Sequence, residues 1–131
     1  MHKPRLLIVD DKPDVAGAFA EMARQCEYRC LIADCGMTAL EIAGWWLPNV
    51  VVVDLDMPDD GYGLCSKLRS ILDRSLLIAV SDEPVDQAQL YKAEFHHYLV
   101  KPVSLDRLKD LLAVPRQAAD QGAWPGQPGS A

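Results

Sequence analysis

A chain of 131 residues, 50% hydrophobic and 24% charged, suffices for one packed domain and is too short for two comfortable ones. Its formal net charge of −6 argues against direct binding to nucleic acid. No apolar run is long enough to cross a bilayer, and the run after Arg5 stops at Val9 and meets Asp10-Asp11, unlike a signal peptide, so a cytoplasmic protein without membrane insertion is expected.

Taken in order, the chain alternates. Arg5 to Val9 is a short apolar strand ending in Asp10-Asp11. Pro13 opens a helix whose Val15, Phe19, Met22 and Cys26 keep to one face. Tyr28 to Ala33 is a second strand, Asp34-Cys35-Gly36 a turn, and Met37 to Leu47 a helix with Ala39, Leu40, Ala43 and Leu47 inward. Trp45 and Trp46 are adjacent and cannot both face that core, so at least one belongs on the surface. Four valines, Val50 to Val53, read as a strand buried on both faces that delivers Asp54 to its carboxyl end. Gly61 to Leu72 is a helix held by Leu64, Leu68 and Ile71, and Leu76 to Val80 is a strand that delivers Ser81. Val85 to Ala93 makes a weakly amphipathic helix, His97 to Val100 a fifth strand that delivers Lys101-Pro102, and Leu105, Leu108, Leu111 and Leu112 mark a last amphipathic helix. Cys26, Cys30, Cys35 and Cys65 lack zinc-site spacing and the density of a disulfide scaffold, and are read as reduced thiols.

Repeated βα units imply an α/β, doubly wound parallel sheet with helices on both faces, for which the flavodoxin-like order 2-1-3-4-5 is the most economical. In such a sheet Asp10, Asp11, Asp54, Ser81 and Lys101 all leave strands at the same edge, where these folds bind ligands. Carboxylates gathered there repel one another unless a cation joins them, and a hard ion that takes oxygen ligands while keeping waters is Mg²⁺. With the Lys101 ammonium and a hydroxyl donor from Ser81, these are the parts of a phosphoryl-transfer site: a carboxylate nucleophile, a metal and donors for the equatorial charge.

Asp10-Asp11, the strand ending at Asp54 followed by Met57-Pro58 and Asp60-Gly61, then Val80-Ser81, then Tyr98 to Pro102, together resemble the receiver domain of two-component response regulators. The resemblance covers about residues 4–113. It implies that Asp54 accepts a phosphoryl group from a phosphohistidine on a sensor histidine kinase or histidine phosphotransfer protein, with Lys101 pairing with the acyl phosphate. It further implies that Asp11, Asp54 and the main-chain carbonyl of Asp56 ligate Mg²⁺, that Asp10 reaches the metal mainly through water, and that the bond to Pro102 is cis. The resemblance also implies that on phosphorylation Ser81 moves toward the phosphoryl group and Tyr98 turns from exposed to buried, altering the surface that an unknown output protein reads.

Departures from the family pattern border the site. The loop from Asp54 to Gly61 and the segment from Ser81 to Lys101 are slightly shorter than usual, and Glu94-Phe95-His96-His97 replaces the usual Gly-Ala-Asp-Asp. That exchange removes an easy left-handed helix stop and the acidic pair of the salt-bridged dimer made by many DNA-binding regulators. His96 and His97 are expected on a partly exposed strand edge, where titration near neutrality would make the interaction surface pH-sensitive. Asp56 and Glu83 lie near the expected path of an attacking water and are expected to tune phosphoryl lifetime. Residues 114–131, rich in Pro and Gly, read as a flexible tail carrying the odd Trp124, with no output domain after it, which favours a stand-alone receiver or a relay component. Two alternatives are a haloacid-dehalogenase-like phosphatase, suggested by the valine run before Asp54-Leu55-Asp56, and a phosphorylation-independent receiver-like interaction module.

Overall fold

In the computed structural model, residues 3–113 are described; the expected tail and Trp124 lie outside them. The valine run forms β3 (Val50–Asp54), buried at all five positions. It lies between β1 (Arg5–Val9) and β4 (Leu76–Ser81), with β2 (Arg29–Ala33) beyond β1 and β5 (His97–Val100) beyond β4. All four pairings are parallel, giving the order β2-β1-β3-β4-β5 that the alternation of elements predicts. Five helices complete the fold: α1 (Pro13–Gln25), α2 (Gly36–Trp46), α3 (Gly61–Ile71), α4 (Gln87–Lys92) and α5 (Leu105–Ala113).

Successive side chains of a strand point to opposite faces, so each central strand feeds two cores. Leu6, Ile8, Val50, Val52, Leu76 and Ile78 pack with Ala16, Phe19 and Ala20 of α1 and Leu108 and Leu112 of α5. Leu7, Val9, Val51, Val53, Leu77 and Ala79 pack with Ala39 and Ala43 of α2, Leu64 and Leu68 of α3, and Leu90 of α4. Burial on both faces is why β1, β3 and β4 read as unbroken apolar runs.

Local chemistry sets where the helices begin. Pro13 occupies the first turn of α1. Asp60 caps α3 by accepting from the Gly63 amide at 3.0 Å, and Asp86 caps α4 by accepting from the Ala88 amide at 2.8 Å. A Cβ at Gly61 would stand 2.6 Å from a methyl of Leu55, so any larger residue there would require the Leu55 side chain to shift.

Four expectations are corrected. Leu47, read as inward, is 52% exposed: it takes a left-handed conformation (φ 51°) that ends α2 and turns its side chain out. Ile71 is also exposed, since the inward stripe of α3 continues through Leu68 to Leu72 and passes it by. The helix expected from Val85 begins at Gln87, where the Asp86 carboxylate supplies the cap, and ends at Lys92. Glu94 adopts φ 65° in place of the missing glycine, and its amide still donates to the Tyr91 carbonyl. Of the two tryptophans, Trp45 is exposed and Trp46 packs beside the second core.

Candidate functional site

The parallel ladders run one residue past the regular strands and bring their carboxyl ends level. Asp10 donates its amide to the Ala33 carbonyl (3.0 Å), Leu55 to Val80 (2.8 Å) and Lys101 to Ser81 (2.9 Å). Asp10, Asp54, Ser81 and Lys101 are thereby brought to one rim, as the order of strands predicts, with Asp11 exposed beside them.

Asp54 is 2% exposed. Its Oδ1 accepts from the Lys101 ammonium at 3.0 Å and from the Asp56 amide at 2.9 Å. Its Oδ2 is the one buried side-chain oxygen or nitrogen without a hydrogen-bond partner among the described residues. Such an atom is costly unless another group satisfies it. Asp10, Asp11 and Asp54 each place a carboxylate oxygen within 4.8 Å of the others. Hard oxygen donors at that spacing, with one buried oxygen unpaired, fit a divalent cation of the Mg²⁺ type.

Charge at the rim is unevenly held. Burial raises the Asp10 carboxyl above its usual range, and the nearby negative charge of Asp54 adds to this; the Lys12 amide and Lys101 offset it only in part. Desolvation works against the charge on Lys101, but the carboxylates of Asp54, Asp10 and Asp56 outweigh it and hold the ammonium more firmly protonated. Desolvation also pushes the Asp56 carboxyl up, and here the Ser81 hydroxyl, the Asp82 amide and Lys101 together prevail and lower it.

Asp56 is placed otherwise than by its main-chain carbonyl alone. Its carboxylate accepts from the Ser81 hydroxyl (2.8 Å) and the Asp82 amide (2.8 Å), and its Oδ2 lies 3.4 Å from the Lys101 ammonium. Sequence reasoning did not single out the Asp82 amide, because a backbone donor leaves no residue-type signal. From Ser81 the connections continue outward: the Glu83 amide donates to Ser81 Oγ at 3.2 Å, and the Tyr98 hydroxyl donates to the Glu83 carbonyl. Tyr98 is half-buried against the second core instead of exposed. The Lys101–Pro102 bond is cis.

Both imidazoles, His96 and His97, are lowered from their ordinary value. His96 Nδ1 accepts from the Leu77 amide at 2.9 Å while the His96 amide donates to the Leu77 carbonyl at 2.8 Å, and burial, aided by Arg69 and His97, lowers the imidazole to about 4. Burial, aided by Arg107, lowers His97 as well. The cysteines are free; burial raises Cys65 to about 12 and Cys30 to about 11, as suits unreactive thiols.

Beside the carboxylates a cavity of about 520 Å³ runs between α1 and the β5–α5 connection. Val15, Phe19, Met22, Pro102 and Val103 give it apolar walls, and Asp54 and Lys101 stand in its lining. No helix among the described residues is long and apolar enough to cross a membrane.

Residues 6–113 match the family model described as the response regulator receiver domain. The chain is 33% identical over 112 residues to the probable transcriptional regulator ycf27 of Porphyridium aerugineum, covering 83% of this chain and 46% of that protein. It is 30% identical over 112 residues to the sensor histidine kinase RcsC of Salmonella typhi, covering 83% of this chain and 12% of that one. The chain thus spans less than half the length of these curated relatives. Among solved structures, a CheY-like receiver domain from Methylobacillus flagellatus superposes with a TM-score of 0.80 at 25% identity, over 87% of this chain and 99% of the other. A response regulator protein from Burkholderia pseudomallei, solved with a phosphorylated aspartic acid, calcium ion and citrate, shares the fold with a TM-score of 0.77 at 23% identity, over 90% of this chain and 69% of that one.

Proposed function

This chain belongs to the response regulator receiver domain family of two-component signalling, and from that premise we propose that it is a phosphoacceptor whose Asp54 takes a phosphoryl group from a histidine kinase or histidine phosphotransfer protein. One observation carries the reading. Asp54 is a buried carboxylate with one oxygen held by Lys101 and the Asp56 amide and the other unpartnered among the described residues.

Asp54 Oδ2 is the attacking atom. Its bond to phosphorus forms as the nitrogen–phosphorus bond of the phosphohistidine breaks and the imidazole leaves with the electron pair. Lys101, already at the other oxygen, fixes the carboxylate's rotation and offers its positive charge to the phosphoryl oxygens. Asp10, Asp11 and Asp54, with the main-chain carbonyl of Asp56, would hold Mg²⁺, which supplies positive charge against the phosphoryl oxygens when bound. Ser81 Oγ is the hydroxyl donor of the set, and its link through Glu83 to Tyr98 supports a readout on the β4–β5 side for an output partner. Apolar walls from α1 give the donor protein a seat next to Asp54. Catalysis is confined to the chain's own phosphorylation and dephosphorylation.

Intact-protein mass after incubation with acetyl phosphate and Mg²⁺ tests this. The expected result is a gain of one phosphoryl group in the native chain, absent from Asp54→Asn and from a sample with EDTA. Phosphorylation of Asp54→Asn to the native extent, or a native chain that takes up neither phosphoryl group nor beryllofluoride, overturns the reading.

A further inference from the structure

The groups that an acyl phosphate at Asp54 would need are already engaged by an anion within the chain. The Ser81 hydroxyl donates to Asp56 Oδ1, the Asp82 amide donates to Asp56 Oδ2, and the Lys101 ammonium stands 3.4 Å from that same oxygen. A hydroxyl, a backbone amide and an ammonium converging on two oxygens form an oxyanion-binding set, and such charge-assisted bonds are the strong ones. The Asp56 side chain keeps 23% exposure, so it has solvent to move into.

We propose that the Asp56 carboxylate is a built-in stand-in for the phosphoryl group: it occupies the phosphoryl donors in the unphosphorylated chain and has to be displaced when Asp54 is modified. This rests on the phosphoacceptor reading and deepens it. A phosphoryl group brings close to two negative charges to Asp54, beside a carboxylate bound to the same three donors. Repulsion and competition then act in one direction and expel Asp56 toward solvent. Until then the stand-in also holds the switch. Asp56 fixes Ser81, Ser81 Oγ receives the Glu83 amide at 3.2 Å, and the Glu83 carbonyl receives the Tyr98 hydroxyl, so the chain of contacts from the site to the β5 surface is continuous before any phosphoryl group arrives.

Two consequences can be read separately. A competitor that fills the donors in about nine molecules of ten lowers apparent affinity for a phosphoryl mimic about ten-fold, so Asp56→Ala should bind beryllofluoride with Mg²⁺ about ten-fold more tightly than the native chain, and Asp56→Asn should fall between. Without any mimic, the Asp82 amide and the Tyr98 ring should shift in the NMR spectra of Asp56→Ala, and beryllofluoride should return both toward their native positions. Unshifted signals in Asp56→Ala, or affinity equal to or below native, overturn the stand-in and leave the phosphoacceptor reading standing. Failure of the native chain and both variants alike to bind beryllofluoride or to take up a phosphoryl group overturns that reading, and the stand-in with it.

Discussion

On the β1–β3 side of the site, Asp10 and Asp54 stand at the ends of strands locked between two cores; on the β4–β5 side, Ser81 and Tyr98 adjoin structure that packing holds more loosely. β3 is buried at every position, whereas β5 has one fully buried residue, Leu99, and α4 spans six residues with Leu90 as its buried anchor. The first side is positioned by apolar contacts that no single charge can rearrange. The second is positioned by a run of hydrogen bonds, from Asp56 to Ser81, Glu83 and Tyr98 and from Leu77 to His96, each of which one new charge can redirect. A site that must keep its nucleophile still while changing its outer surface needs both kinds of support, and low local stability is where moving elements are found.

Matched truncations test this contrast most strongly. Ile8→Ala, at a buried position of β1, should cost about 4 kcal/mol in urea unfolding, and Leu90→Ala, on α4, about 2 kcal/mol. Equal losses would break the comparison, because they would give α4 the same packing debt as the central sheet.

Acid titration comes next and addresses the β4–β5 side alone. His96 is held at about 4 in the fold against an ordinary 6.5, so between those values the unfolded chain binds a proton that the folded chain refuses. Stability from this residue is therefore full above about pH 6.5, falls as pH drops toward 4 and levels below it, by about 3 kcal/mol at most. His96→Asn, which keeps an acceptor for the Leu77 amide, should flatten that part of the curve; an unchanged slope would remove His96 from the account.

The smallest effect distinguishes the two helix caps. Asp60→Ala should lower global stability by about 1 kcal/mol, since α3 is anchored in the second core. Asp86→Ala should act mainly on α4, raising amide hydrogen exchange there with little change in the global transition. Slowed or unchanged exchange in α4 would show that its stability is coupled to the whole fold.

Much of this was legible before any coordinates. Unbroken apolar runs of four to six residues separated by amphipathic stretches specify parallel strands buried on both faces, and a polar residue at the end of four of those runs marks the rim. Leu47 and Ile71 were misplaced because periodicity assigns a face, not the residue at which a helix stops following it. Residue type at a strand edge predicts that His96 titrates near neutrality, because it says nothing about a ring turned back on the neighbouring strand's amide.

By itself, then, the sequence determined the fold class, the strand order most consistent with it, and that Asp10, Asp11, Asp54, Ser81 and Lys101 gather at one rim, because these follow from local pattern and from which end of a strand a residue leaves. Tertiary structure alone decided which oxygen of Asp54 is held and which is unpartnered, and that the Asp56 carboxylate takes the Ser81 hydroxyl and the Asp82 amide. Those partners are separated along the chain, and they meet only because the parallel register of β3, β4 and β5 sets three strand ends side by side at hydrogen-bonding distance.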